Sequence, residues 1–212
     1  MKNLLSRLTA GAIVLFAQIV TAFRAIWDGV DPVPVQRVYY ANHTSNGDFV
    51  LIWAALPLRL RQQTRPVAGS DYWLSSKLKR FIGRDVFNAV LIDRNQNTRQ
   101  EDPIEQMAQA VREGSSLILF PEGTRNVSEE DLLPFKPGIF HLANSCPDVD
   151  FVPVWIENLN HVMPKGEILP LPLLCTVRFG AALRRHEGEE KAQFLERSRA
   201  ALLALKDQEA PS

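Results

Sequence analysis

The stretch SLILFPEGTR, Ser116 to Arg125, decides how the rest of the chain is read. Its first half, SLILF, is a short unbroken apolar run, the pattern of a strand buried on both faces of a sheet. Its second half crowds Glu122, Thr124 and Arg125 around Gly123, a residue that permits unusual backbone. A buried strand opening straight into such a loop is how open α/β sheets present ligand-binding groups. The pattern recurs twice upstream. RVYYA (Arg37 to Ala41) runs into Asn42-His43-Thr44-Ser45-Asn46-Gly47-Asp48, and AVLI (Ala89 to Ile92) runs into Asp93-Arg94.

Helical spacing fills the intervals. Asp48 to Leu60 carries Val50, Leu51, Ala54, Ala55 and Leu58 on one stripe. Pro103 starts a second helix, with Ile104, Met107, Ala108 and Val111 facing inward, and Gly114 ends it. FVPVWI (Phe151 to Ile156) and Thr176 to Phe179 read as further strands, Pro153 pointing to an edge or an irregular end. Glu187 to Asp207 repeats Phe194, Leu195, Ser198, Leu202 and Leu205 at helical spacing, which packs it on the domain. No internal repeat is present. Strands alternating with helices predict a single α/β domain, a central and largely buried β-sheet flanked by helices.

A chain of 212 residues suffices for one such domain and a short appendage. The appendage is N-terminal. LTAGAIVLFAQIVTAF (Leu8 to Phe23) lies between Lys2 and Arg7 on one side and Arg24 on the other. Its sixteen residues fall short of the roughly 20 that span a bilayer. Four readings stay open on these residues alone: a cleaved signal peptide ending near Ala22, a spanning helix extended by Leu4, Leu5, Ile26 and Trp27, a monotopic helix in one leaflet, and a buried core helix. DGVDPVP (Asp28 to Pro34) is a breaker segment. It divides the chain into residues 1–30, a hydrophobic membrane-associating helix with its linker, and residues 31–212, the folded domain.

Lysine plus arginine and aspartate plus glutamate both number 24, so bulk charge names no partner and makes no case for nucleic acid. The distribution is uneven: nine cations against three acids lie between Arg59 and Arg99. Such an excess is either a solvated basic face or an attractor of phosphates and acidic membrane surfaces. The two cysteines, Cys146 and Cys175, have neither C-x-x-C spacing nor a neighbouring histidine. A metal site or a disulfide framework is therefore not expected, and two reduced thiols suit a cytosolic domain.

His43 and Asp48 are the residues with the most chemistry to offer. A histidine that removes a proton keeps one ring nitrogen free while a carboxylate on the other fixes the tautomer. Asp48 can reach back to His43 if the loop curls. Equally, Ser45, Asn46 and Asp48 are helix-starting residues, and Asp48 can serve only the helix dipole. Ser45 lacks a nucleophile-elbow motif and reads as a cap. Arg125 and Arg94 offer forked phosphate binding, and Lys136 in PFKPG is a third cation; each also fits a surface ion pair.

Taken together these blocks resemble a known family. NHTSNGD is similar to the N-H-x-S-x-x-D block of the glycerolipid acyltransferases, best known from the 1-acylglycerol-3-phosphate acyltransferases. LIDR (Leu91 to Arg94) resembles their second block, FPEGTR (Phe120 to Arg125) matches the third in full, VPV (Val152 to Val154) resembles the fourth, and PFKPG resembles the lysine-containing stretch after the third. The blocks stand in the family's order between Arg37 and Leu183. The resemblance implies direct acyl transfer from a thioester, on coenzyme A or acyl carrier protein, to the hydroxyl of a lysophosphatidic-acid-like lysolipid, with no cofactor and no metal. It implies His43 as general base oriented by Asp48. Arg94, Glu122, Gly123, Thr124, Arg125 and Lys136 become acceptor-binding, and Val152, Pro153 and Val154 line an acyl pocket. It also implies association with membrane lipids at the cytoplasmic face of the inner or plasma membrane, which disfavours a cleaved signal peptide. The same blocks serve other lysolipid acceptors, and a non-catalytic lipid-binding module is the reading from another class.

Overall fold

The computed structural model describes residues 4–95, 100–157 and 175–206. Lys2, Arg99 and Asp207, named above, lie outside them. The first element is helix α1, Leu4–Thr21. Among the described residues seven strands follow in chain order: β1 (Arg24–Trp27), β2 (Arg37–Ala41), β3 (Thr64–Gly69), β4 (Val90–Ile92), β5 (Ser116–Leu119), β6 (Asp150–Glu157) and β7 (Thr176–Phe179). They form one sheet in the order β1-β7-β6-β2-β5-β3-β4. Among these seven described strands the β6–β7 pair is antiparallel and the other neighbours run parallel.

β2 sits at the centre, and every residue of it is buried. Its alternation divides the core in two. Val38 and Tyr40 pack with helices α6 (Pro103–Arg112), α7 (Gly138–Ser145) and α8 (Lys191–Leu203), while Tyr39 and Ala41 pack with α2 (Asp48–Ala55) and the inner side of α1. Both faces are therefore covered, as parallel strands require. Cys146 and Cys175 are buried and free, and burial raises the Cys175 thiol to about 11.

Three expectations need correction. The helix expected from Asp48 to Leu60 breaks at Leu56-Pro57, because the residue before a proline is forced into extended backbone (Leu56 φ −67°, ψ 137°); the chain resumes as α3, Leu58–Gln63, and the short helices α4 (Ser70–Trp73) and α5 (Lys77–Arg80) come after β3. Arg61 bridges the break: its Nε donates to the Trp53 carbonyl at 3.0 Å and one terminal nitrogen donates to Ala54 and Leu56 at 2.7 and 2.8 Å. These carbonyls end α2 and have no helical partner. Pro153 is not at an edge but in β6, between β2 and β7. Its carbonyl accepts from Gly180, so its missing N–H faces β7 just where that strand ends. Finally, Ile26 and Trp27 belong to β1, paired with β7, and not to the N-terminal helix. The sheet thus begins before the boundary placed at residue 30.

α1 has 18 residues and is long and apolar enough, by length and composition, to cross a membrane. Leu4, Leu8, Phe16 and Ile19 along it are exposed.

Replacing Arg61 with alanine leaves three carbonyls of the α2–α3 break without their charged donor. The expected cost is about 2 kcal/mol, read as a lower urea midpoint at unchanged slope, with Arg61→Lys recovering only part of it.

Candidate active site

The loops after β2, β5 and β4, and the end of β3, all lie at the carboxyl ends of neighbouring parallel strands. Three unrelated stretches of sequence therefore meet at one edge of the sheet. The loop after β2 is held by two buried carboxylates. Asp48, fully buried at the first turn of α2, accepts through Oδ2 from His43 Nδ1 at 2.8 Å, from the Thr44 N–H at 2.7 Å and from the Ser45 N–H at 2.9 Å. Glu122, from the loop after β5, accepts the His43 N–H through Oε1 at 2.8 Å and the Leu133 N–H through Oε2 at 2.9 Å. The His43 carbonyl in turn accepts from the Asn126 N–H at 2.6 Å.

The ring itself is fixed on its remaining side by Phe120, stacked on it at 4.2 Å between centroids with 17° between planes. With Nδ1–H directed at Asp48, Nε2 is the nitrogen left with a lone pair. The His43 side chain keeps 18% of its exposure and lines two adjoining cavities. The larger, about 630 Å³, has an apolar wall from α1 (Ile13, Phe16, Val20) and from Phe49, Ile82 and Phe87, with Thr124, Arg125 and Arg94 at its polar end. The smaller, about 290 Å³, is bordered by Gly123, Lys136 and Arg94. Arg94 borders both. Gly123 has a φ of +69°, and a Cβ there would meet the Lys136 side chain at 2.7 Å, so glycine answers both the backbone and the lysine lying over it.

Most residues singled out in the sequence thus converge here: His43 with Asp48, and around them Arg94, Gly123, Thr124, Arg125 and Lys136. Two groups of residues stand apart from this cluster. Glu122 is 2% exposed and each of its oxygens accepts a backbone N–H, so it braces the loop. Val152 and Val154 are wholly buried in the core on the α2 side and Pro153 packs beside Gly180; none of the three lines either cavity that His43 lines. Conversely, three contributors were given no role of their own from the sequence. Phe120 reads as the last residue of an apolar run. Asn126 follows the motif and is recognisable only by what it binds. Asn42 is buried and exchanges side-chain hydrogen bonds of 3.0 and 2.8 Å with the Ile156 backbone, prolonging the β2–β6 pairing up to His43. Among the described residues no group of His, Cys, Asp and Glu gathers to hold a metal ion.

Against known proteins, the model of a family described as Acyltransferase matches residues 28–157, more than half of the chain and all three loops of the site. The chain belongs to the acyltransferase family. Relatives within it include a 1-acyl-sn-glycerol-3-phosphate acyltransferase of Haemophilus influenzae, 32% identical over 126 residues, covering 56% of this chain and 47% of the relative. A 1-acyl-sn-glycerol-3-phosphate acyltransferase of Cocos nucifera is 26% identical over 182 residues, covering 81% and 56%. The chain spans about half the length of these curated relatives. The crystal structure of the 1-acyl-sn-glycerophosphate (LPA) acyltransferase PlsC from Thermotoga maritima aligns with a TM-score of 0.68 at 19% identity, over 97% of this chain and 83% of that one. At that identity the likeness shows a shared fold.

Burial pushes the Glu122 carboxyl above its ordinary value of 4.5, against the pull of the Leu133 and His43 N–H groups. A raised carboxyl binds its proton more readily folded than unfolded. Its contribution to stability is complete below the ordinary value and is lost as pH rises through the raised one. Glu122→Gln has no such titration. The stability advantage of the parent over this variant is expected to shrink with rising pH, in urea midpoints taken from about pH 4 to about pH 7.

Proposed function

We propose that the chain moves a fatty acyl group from a thioester, on coenzyme A or acyl carrier protein, to the hydroxyl of a lysophosphatidic-acid-like acceptor in phospholipid biosynthesis. The observation that carries this reading is the His43 Nδ1–Asp48 Oδ2 contact of 2.8 Å, with the ring facing both cavities. His43 Nε2 takes the proton of the acceptor hydroxyl as its oxygen attacks the thioester carbonyl. The tetrahedral intermediate collapses, the carbon–sulfur bond breaks, and the departing thiolate takes the proton back from the imidazolium. Asp48 holds Nδ1–H throughout and stabilises the transient cation. A thiolate leaves readily, so the route needs neither a covalent intermediate on the protein nor a resident cofactor.

Arg94, Arg125 and Lys136 supply guanidinium and ammonium donors for the acceptor phosphate at the exposed end of the site. The apolar wall of the larger cavity takes an acyl chain, a task the sequence resemblance gave to Val152 to Val154. α1, apolar on its exposed side, seats the chain on the cytoplasmic face of the membrane that holds its lipid substrate. The family membership and the relatives' names support the reading. A second acceptor class is favoured by one observation: Asp71 borders the same cavity as Arg94 and Arg125, and a carboxylate there suits a lysolipid whose headgroup carries a donor beside its phosphate.

Membranes bearing the protein, given a panel of lysolipids and labelled acyl thioesters with products read by mass, test the proposal. His43→Ala is expected to lower turnover by about 10²–10⁴-fold. Arg125→Ala is expected chiefly to raise the acceptor KM. Lipid binding without thioester turnover in the parent chain would make it a lipid-binding module, and full activity of the His43 variant would sink the mechanism.

A further inference from the structure

Gly69 ends β3 in ordinary extended backbone, φ −68° and ψ 130°, which any L residue adopts. Glycine is therefore not demanded by the backbone. Space demands it. A Cβ built there would meet Arg94 Nε at 2.8 Å and Arg94 Cζ at 3.0 Å, with Asp71 Oδ1 closer still. Two oppositely charged side chains converge on the volume of one absent methyl. They arrive from different elements: Asp71 from the first turn of α4 (Ser70–Trp73), Arg94 from the loop after β4, whose Ile92 is paired in register with Gly69. Gly69, Asp71 and Arg94 all border the larger cavity, and Arg94 borders the smaller one as well.

We propose that Gly69 is a specificity-determining position for the acceptor headgroup, because its bare backbone lets the Arg94 guanidinium lie over the end of β3 at the junction of the two cavities. This rests on the acyl-transfer reading and on Arg94 as a phosphate ligand. A guanidinium lying over the end of β3, with Asp71 on its flank, stands at the junction of the two cavities, within reach of an anion bound there. Any side chain at position 69 moves Arg94 away from that junction and crowds Asp71 into the headgroup space. Gly69 touches neither the reacting hydroxyl nor the thioester, so its influence runs through Arg94, as a positioning residue.

The test is steady-state acyl transfer with lysophosphatidic acid varied at saturating acyl-CoA, for the parent chain, Arg94→Ala, Gly69→Ala, Asp71→Ala and the double variant Gly69→Ala/Asp71→Ala, each with a thermal midpoint. Arg94→Ala is expected to raise the acceptor KM about tenfold, with kcat and the donor KM little changed. Gly69→Ala is expected to do the same while keeping its thermal midpoint. In the double variant the guanidinium can move into the space left by the carboxylate, so part of the KM is recovered and the two effects do not add. A parent-like acceptor KM for Gly69→Ala, alongside a raised one for Arg94→Ala, overturns this proposal alone. An inactive parent, or an Arg94→Ala variant with unchanged acceptor KM, instead overturns the functional reading beneath it.

Discussion

The site depends on two carboxylates kept out of water and satisfied by backbone. Asp48 and Glu122 are almost wholly inaccessible, and a buried carboxylate is costly unless hydrogen bonds replace its hydration. A strand-end loop has the replacement at hand, since its N–H groups have left the sheet and lack ladder partners. Asp48 gathers the N–H groups of Thr44 and Ser45 as well as the imidazole, all on Oδ2; Oδ1 has no hydrogen-bond partner among the described residues. One oxygen atom thus ties the loop backbone to the ring. Starting α2 and orienting His43 are one arrangement, because the first helical turn is what carries that oxygen beneath the ring.

Glu122 extends the same logic between strands. It fastens the His43 N–H to the loop after β5, while Asn126 fastens the His43 carbonyl to that same loop. The parallel neighbours β2 and β5 fix the distance between the loops, and these two bonds turn that distance into a position for the imidazole. Phe120, the residue between β5 and the loop, completes the seat by stacking.

How much of this the sequence discloses depends on whether the partner is a side chain or a backbone group. The His43–Asp48 pair is legible because both members are distinctive and five residues apart. Glu122 reads as a polar group free for a ligand, because its true partners are N–H groups that nearly every residue carries. β2, β4, β5, β6 and β7 are legible as apolar runs, whereas β1 and β3 are not. RAIW continues the apolar composition of α1, and TRPVAG interrupts its run with Arg65 and Pro66. Without β3 there is no reason to look at Gly69, which acquires meaning only when Arg94 and Asp71 are seen on either side of it. The VPV stretch carries a related ambiguity. An apolar VPV run fits a pocket wall and a sheet core equally well, and the position of β6 between β2 and β7 puts it in the core.

The polarity of the site follows from which elements build it. Loops supply the cations, so Arg94, Arg125 and Lys136 stand where solvent reaches them and an anion can be bound without stripping every charge of water. Helices α1 and α2 supply apolar side chains to the wall of the larger cavity. The imidazole sits between these regions, partly exposed and braced by groups that are not. Under the proposed reading this is the order a lysolipid and a thioester require, with headgroup outward, reacting carbonyl and hydroxyl at Nε2, and acyl chain inward. α1 then has two apolar tasks on opposite sides, walling the cavity with Ile13 and Val20 while presenting Leu8 and Ile19 outward. A helix serving only as an anchor would not need the first task, and a core helix would not tolerate the second.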